Sequence, residues 1–495
     1  MTKPRTPRPA ATPRPAATPR PAATPRPAAT PRPAASPKAP KTAPKAFKAA
    51  RASATFERKP KNPAPAKRPE IRASQPAGAR INRRAADRLR AGHLWVYASD
   101  IESLELPESG LPGGEPPALL PVADSRGLLL GTALYSPQSQ IALRLIARFA
   151  IDEPAWLDLL ETRLRAAIAR RRLLLDERNN ACRLCFSEAD ELPGLVVDKY
   201  GELVILQLLA KGLDSAAVRE RCVRVLREEL APAAILERPD PRVRELEGLA
   251  APNPAPLWIA DSTAPATTEF LLNGLRFHYD ANSGQKTGAF LDQRVNYAAA
   301  AEWVRRLSAA KQGAASPDGG LRALDVCCYQ GGFALHLAQV CAQVTGIDAS
   351  RASLEVAERN LEANRSSLTA QVEWVEADAF EILRDWSESG QRFDAIVLDP
   401  PAFAKSQRAV EGALRGYKEL NLRAIKMMRA GGLLVTCSCS QHVSWAELEG
   451  SVASAAADAH RRVRLLERRG AAPDHPVVLN LPETEYLKCL VLEVE

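Results

Sequence analysis

From Leu321 onward, short apolar runs alternate with amphipathic stretches, and this rhythm predicts strand and helix in turn. Residues 321–327 read as a strand, Gly331-Gly332 as a turn and residues 333–343 as a helix. A strand over 344–348 follows, then a helix to Asn364 that starts at Ser350, a favourable N-cap residue. Further strands fall at 372–376, 393–399, 433–437, 462–467 and 486–493, with helices fitting between most of them. This βαβ alternation predicts an α/β fold, a seven-stranded, mostly parallel sheet covered on both faces, with the last two strands forming an antiparallel edge. Upstream, residues 78–150 hold short strands and turns, among them Gly92-His93-Leu94-Trp95-Val96-Tyr97. Residues 152–262 open on a helix rich in Leu, Ala and Arg.

The start of the chain breaks this pattern. The unit Thr-Pro-Arg-Pro-Ala-Ala repeats five times from Thr6 to Ala35, and 18 of the 40 prolines precede residue 71. Proline at that spacing removes backbone donors and forbids helix, which predicts a solvated, polyproline-II-like disordered arm with no core of its own. Residues 1–70 carry 17 Lys+Arg against Glu57 and Glu70, a net +15, so the other 425 residues stand at −6 and the overall +9 belongs to the tail. Regularly spaced Arg can hold RNA phosphates by a salt-dependent attraction, and a merely solubilising extension is the plain alternative. An Arg-rich, acid-poor start also suits an organelle transit peptide, but these prolines break the amphipathic helix such a peptide needs.

The rest of the chain is long enough for two or three cores. No apolar run approaches about 18 residues and no signal-peptide pattern is present, which predicts a cytoplasmic protein. Nine scattered cysteines, an odd number, predict free thiols in a reducing compartment. Cys182 and Cys185 form a lone Cys-x-x-Cys without a second pair or a nearby His, so no metal site is expected.

Ligands of parallel sheets bind at the carboxyl ends of the strands. Asp325, Asp348, Asp378, Asp399 and Ser438-Cys439-Ser440 all fall at such ends. In the turn from Asp325 to Phe333, Gly331 and Gly332 let the backbone approach a ligand, and Asp348 can accept both ribose hydroxyls of an adenosine. The turn lacks the spacing of G-x-G-x-x-G, which weighs against a dinucleotide. Asp378 can hold an adenine amino group or act as an ordinary helix cap. Asp399-Pro400-Pro401-Ala402-Phe403 projects a carboxylate and rigid carbonyls toward the polar edge of a base, with an aromatic ring near enough to stack on it.

Carbon 5 of a pyrimidine is a poor nucleophile. A thiolate adding to carbon 6 turns carbon 5 into an enamine carbon that can attack a sulfonium methyl, after which the proton on carbon 5 and the thiolate both leave. A carboxyl must hold or protonate ring nitrogen 3, the natural part for Asp399. Cys437 and Cys439 both stand at the strand end, and either can be this nucleophile or a small buried residue.

These motifs together resemble the bacterial large-subunit (23S) rRNA methyltransferases that use S-adenosylmethionine to make 5-methylcytosine, over residues 78–495. The resemblance implies a tail over 1–77, an RNA-binding PUA barrel over 78–150, a central α+β domain over 151–262 and a Rossmann-like class I methyltransferase domain over 263–495. Counted from Gly431-Gly432, it places the nucleophile on Cys439 and leaves Cys437 as a neighbour. It also implies that Lys286, Thr287, Gly288, Asp292, Gln293 and Arg294 hold S-adenosylmethionine, together with Asp325, Gly331, Gly332, Phe333, Asp348, Asp378, Asp399 and Pro400. Pro401 and Phe403 would then meet the base. Further matches are Arg183 to Asp198, Arg415-Gly416-Tyr417-Lys418 with Asn421, and Asp474-His475-Pro476. Many RNA cytosine-5 methyltransferases carry a second cysteine where Pro401 stands, which leaves the route of proton removal open.

The implied partner is large-subunit rRNA before ribosome assembly completes, because the target carbon is recessed in a helix and must be unpaired or flipped out. Arg80, Arg83, Arg84, Arg88 and Arg90 are candidates for phosphate contacts, whereas His93 and Trp95 read as core packing at the barrel edge. The rival readings are a methyltransferase of the same fold acting on a purine nitrogen, a non-catalytic RNA-binding protein, and a nicotinamide oxidoreductase.

Overall fold

The structure is a computed structural model that describes residues 78–106, 118–261, 266–282, 287–310 and 320–495. The repeat tail and Lys286 lie outside the described residues.

Seven strands build the C-terminal sheet: β1 (Arg322–Val326), β2 (Gln343–Asp348), β3 (Gln371–Glu376), β4 (Phe393–Leu398), β5 (Met428–Ser438), β6 (Val463–Arg469) and β7 (Lys488–Val494). Their order is β3-β2-β1-β4-β5-β7-β6. The first five run parallel, and β7 pairs antiparallel with both β5 and β6. Helices α1 (Gly332–Leu337), α2 (Arg351–Ala363), α3 (Ala379–Glu388), α4 (Val410–Met427) and α5 (Trp445–Asp458) supply the crossovers. Alternate side chains enter two cores: Ala323, Val344, Ala395 and Val435 face one, and Leu324, Ile347, Ile396 and Leu434 the other. Burial on both faces is why β4, β7 and the second half of β5 read as nearly unbroken apolar runs. Strand order reverses between β1 and β4, and the two connections leave the sheet in opposite directions, opening a crevice at its carboxyl edge.

Two elements differ from the pattern reading. Helix α1 stops at Leu337 instead of running to 343, although residues 338–343 contain no Gly or Pro. Tertiary pairing ends it, because Gln343 must donate to the Leu321 carbonyl at 3.1 Å to begin β2 beside β1. Strand β5 begins at Met428 rather than 433, and its register against β4 shifts between Met428 and Leu433, across the Gly431-Gly432 pair, where Gly431 takes φ 67°. The expected cap of α2 is present, with the Ser350 hydroxyl accepting from the Ser353 N–H at 3.3 Å.

Upstream, six strands between Gly78 and Ala147 form a sheet in which one pair, Gly78–Ile81 with Leu119–Asp124, is parallel. A five-stranded sheet follows, with Ala181–Phe186, Leu195–Tyr200, Leu203–Leu208, Ala234–Glu237 and Trp258–Ile259 as successive neighbours. Helices Glu153–Arg172 and Ala216–Leu230 cover it. The hairpin Thr267–Leu272 with Leu275–Asp280 joins this sheet to the C-terminal one. Tyr279 of the hairpin stacks on Tyr200 at 4.3 Å and 14°, and both belong to the core that contains Ala323 and Val435. Among the described residues no helix is long and apolar enough to cross a membrane.

Candidate active site

A cavity of about 550 Å³ occupies the carboxyl edge of β1, β2, β4 and β5. Asp292, Asp325, Asp348, Asp378 and Asp399 line it, and no Lys, Arg or His does so among the described residues. Aromatic walls complete it: Phe290 meets Tyr329 edge-on at 4.9 Å, and Tyr297 meets Phe333 at 4.7 Å. A site whose described walls carry five carboxyls and no basic side chain suits a ligand that brings positive charge.

The turn after β1 is held under tension. Cys327 and Tyr329, neither a glycine, take φ of 62° and 50°, a conformation that persists where neighbours enforce it. The Tyr329 N–H donates to Asp348 Oδ2 at 2.9 Å, its hydroxyl donates to the Gly288 carbonyl at 3.2 Å, and Asn360 donates to the Gln330 carbonyl at 2.9 Å. Gly331 caps α1 at φ 82°, where a side chain would be strained.

Asp325 lies fully buried beneath this turn. One carboxylate oxygen accepts the Ala334 N–H at 2.8 Å and the other has no hydrogen-bond partner. Burial, with the charges of Asp399 and Asp348 adding to it, pushes this carboxyl well above the usual carboxylate range. Asp348 accepts two backbone N–H groups, from Tyr329 and Ser350, one on each oxygen. Asp378 caps α3 through Phe380 N at 2.8 Å and Glu381 N at 3.1 Å while also lining the cavity. The cap that its sequence context predicts is therefore present, on a residue that also stands at the cavity wall.

Asp399 is oriented from behind. Gln293 donates to its Oδ2 at 3.0 Å, Asn296 donates to Gln293 Oε1 at 2.7 Å, and Arg469 donates to Asn296 Oδ1 at 2.9 Å. This relay reaches the base of the site from β6, 70 residues along the chain from Asp399. Pro400, Pro401 and Phe403 also line the cavity, and Phe403 packs on Tyr417 at 4.9 Å.

The two cysteines part company here. Cys437 is fully buried in the sheet, paired across the ladder with Cys489, and burial together with a hydrogen bond to Cys489 pushes its thiol well up. Cys439, just beyond the end of β5, is half-exposed and lines the cavity. On its far side Lys488 is buried, donating from Nζ to the Ser440 carbonyl at 3.0 Å and the Tyr486 carbonyl at 3.1 Å. Burial draws the Lys488 pKa down, opposed in part by the charges of Glu485 and Cys439. Ser438 and Ser440 both bond the Tyr417 hydroxyl, at 2.8 and 3.0 Å, which fixes the loop that carries Cys439.

The 287–294 segment divides. Asp292 and Gln293 line the cavity, and Asp292 accepts from the Tyr486 hydroxyl at 2.6 Å. Gly288, at φ 143°, lies against the Tyr279 ring, where an added Cβ would stand 2.2 Å from a ring carbon. Thr287 and Arg294 do not line the cavity. The Thr287 hydroxyl donates to Asp198 and shares a 2.8 Å hydrogen bond with Tyr200, while Arg294 donates to the Ala181 carbonyl at 3.0 Å and faces Asp474 at 3.6 Å. Gly332 and Phe333 line the cavity and Gly331 stands just outside it. Lys488 and Tyr486 were missed by the sequence reading. The available signal was a lysine at the head of the apolar run Lys488-Cys489-Leu490-Val491-Leu492, where a core strand offers it no water.

A sheet in the order β3-β2-β1-β4-β5-β7-β6, with an acidic, aromatic-walled cavity at its carboxyl edge, defines a class I methyltransferase. Residues 191–490 match the family model described as S-adenosylmethionine-dependent methyltransferase, and residues 79–148 match the PUA-like domain. The chain belongs to this methyltransferase family, in the group of the proteins named ribosomal RNA large subunit methyltransferase I, and it uses S-adenosylmethionine. The relative of that name from Photobacterium profundum is 35% identical over 81% of this chain and 95% of its own length. The one from Pseudoalteromonas translucida is 36% identical over 82% and 96%. The fold is shared with the solved structure of SMU.776 complexed with SAH, at TM-score 0.66 and 18% identity, covering 84% of this chain and all of that one. The site fits the cofactor by its donor set, since a sulfonium and an ammonium carry the positive charge that the five aspartates lack.

Proposed function

We propose that this enzyme methylates carbon 5 of a cytosine in large-subunit rRNA, in the cytoplasm and before ribosome assembly closes off the base, with Cys439 as nucleophile. The observation that carries the reading is that Cys439, and not Cys437, shares one cavity with Asp399 and the acidic donor pocket. Bound there, S-adenosylmethionine supplies an electrophilic methyl group. Asp325, Asp348 and Asp378 hold its ammonium, ribose and adenine in turn, with Asp292, Phe333 and Pro400 completing the walls. Thr287, Gly288, Arg294, Gly331 and Gly332 shape this half of the site.

Asp399, steadied by Gln293, donates the proton of its carboxyl to ring nitrogen 3 of the cytosine as the thiolate adds and takes it back when the ring is restored, and Pro401 and Phe403 bound the ring. Cys439 adds to carbon 6, which makes carbon 5 nucleophilic. Lys488, a buried cation beside Cys439, favours the thiolate over the thiol. After methyl transfer, loss of the proton from carbon 5 expels the thiolate and restores the ring. In this division of labour residues 78–150 grip the RNA, 151–262 shape its path and 263–495 carry the chemistry. The grip has a local source, because Arg80 and Arg84 are exposed on the first of these segments.

The test is methyl transfer from labelled S-adenosylmethionine to deproteinised large-subunit rRNA from cells lacking the enzyme, with nucleosides resolved by mass. Label in 5-methylcytidine that disappears in Cys439→Ala supports the proposal. Label in a methylated purine, or label that survives the substitution, sinks it.

A further inference from the structure

Beside the catalytic cavity lies a second one of about 370 Å³, within the size range of ligand pockets, roughly 300–1,000 Å³. Three parts of the fold wall it: Trp95 from the PUA-like sheet, Arg183, Phe186 and Glu188 from the five-stranded sheet and its following turn, and Gln441, Glu483 and Tyr486 from the C-terminal sheet's loops. Tyr486 lines both cavities, and Gln441 is two residues beyond Cys439. Whatever enters here lies next to the reacting base.

The chemistry of the walls selects the occupant. Trp95, Phe186 and Tyr486 offer aromatic faces, with Phe186 and Tyr486 6.3 Å apart and inclined at 51°. Arg183, the cation among the lining residues described, is already bidentate to Asp198 at 2.8 and 2.8 Å and lies 5.5 Å over the Phe186 ring. Two carboxylates, Glu188 and Glu483, repel a phosphate. Glu188 is satisfied by Trp95 Nε1 at 2.8 Å and by the Ser187 hydroxyl. Glu483, which lines the cavity, meets His93 Nε2 through one oxygen at 3.0 Å, and its other oxygen is buried without a hydrogen-bond partner. Aromatic faces with a spare acceptor recognise a planar group that carries N–H donors.

We infer that this second cavity receives the nucleobase adjacent to the target cytosine, stacked on Phe186 and Tyr486 and donating from an exocyclic amino group to Glu483. The inference rests on the RNA substrate proposed above and names the part of it that the enzyme reads. A base drawn into this pocket leaves its neighbour unstacked, which lowers the cost of presenting the cytosine to Cys439. It also gives the junction of the PUA-like domain with the catalytic domain a function, because Trp95 reaches the substrate only if both grip the same strand.

Binding of deproteinised large-subunit rRNA to the full chain, with S-adenosylhomocysteine present so that no transfer occurs, tests this directly. Phe186→Ala is expected to weaken RNA binding about tenfold, and Glu483→Gln about fivefold. Affinity for S-adenosylmethionine and the melting temperature of Glu483→Gln stay at the level of the intact protein. Both variants raise KM for RNA and leave kcat in place. RNA bound equally tightly by both variants overturns the pocket and spares the proposed function, whereas no RNA binding by the intact chain overturns both. Once the methylated cytosine is mapped, a synthetic RNA with uracil as the neighbouring base is expected to bind as weakly to the intact enzyme as to Glu483→Gln. A natural site flanked by uracil on both sides removes the amino-group assignment.

Discussion

The five-stranded sheet and the C-terminal sheet both bury acids, and they treat them in opposite ways. Around the five-stranded sheet each buried acid has an arginine: Asp190 with Arg171 at 2.6 Å, Asp198 with Arg183 at 2.8 Å, Glu237 with Arg219 at 2.7 Å and Glu247 with Arg144 at 2.8 Å. At the edge of the C-terminal sheet five aspartates, Asp325 the most deeply buried of them, gather around a cavity that no Lys, Arg or His lines among the described residues. A paired buried acid is architecture, because its desolvation is offset inside the protein. A buried acid whose neighbours are other acids leaves that offset to a ligand.

The largest effect that separates the regions is chemical. Cys439→Ala is expected to lower methyl transfer by at least about a thousandfold, while Cys437→Ala, which only thins the sheet core, keeps the rate within about tenfold and lowers the melting temperature. Single-turnover transfer beside thermal unfolding resolves the two; an inactive Cys437→Ala with an intact melting point would exchange their roles.

Next come the acids themselves. Asp198→Asn breaks a buried pair and is expected to cost about 3–5 kcal/mol of stability. Asp325→Asn removes a charge that the folded protein holds at a cost, so it is expected to leave stability equal or higher and to weaken S-adenosylmethionine binding by about ten- to a hundredfold. Urea unfolding with calorimetric titration measures both. Similar losses of stability in the two variants would erase the contrast between the regions.

Acid provides a third probe. His336 is buried in α1, accepting from Asn273 Nδ2 at 2.9 Å while its Nδ1 donates to the Gly332 carbonyl at 2.7 Å, and burial pulls its pKa down to about 4. The folded state thus binds fewer protons than the unfolded one, whose imidazole has a pKa near 6.5. Its contribution is complete above about pH 6.5 and is lost as pH falls toward about 4, up to about 3 kcal/mol. Asp325, shifted upward, acts in the opposite sense and gains stability on protonation. His336→Gln is expected to flatten the acid-side fall of ΔG; an unchanged slope would contradict the assignment of a neutral imidazole.

Lys488→Met should have the smallest effect. Without the buried ammonium behind Cys439 the thiolate is harder to form, so the rate near neutral pH is expected to fall about tenfold and to recover at higher pH. A uniform loss across the pH profile would make Lys488 only a structural tie for the Ser440 loop.

Local pattern made much of this legible. Strand–helix alternation specified the sheet, because a two-sided sheet demands apolar runs and crossovers demand amphipathic ones, and Ser350 announced the start of α2 through its own hydroxyl. The end of α1 was not legible, since pairing with β1 and no residue of its own cuts it short. Within 286–294, charge and smallness look alike in sequence, yet Asp292 and Gln293 face the cavity while Thr287 and Arg294 serve the joint with the five-stranded sheet.

By itself, then, the sequence determined the elements of the catalytic domain, its family and the carboxyl-edge location of its acids, all of which follow from periodicity and from residues within a few positions of one another. Tertiary structure alone decided that Cys439 lines the cavity while Cys437 is sealed in the sheet, that Lys488 stands behind it, and that Tyr486 joins two cavities. Those facts depend on strands that pair antiparallel from 50 residues apart, Cys437 against Cys489 and Ser438 against Lys488. One residue of register exchanges the faces of a strand, and register is set by the packed sheet as a whole.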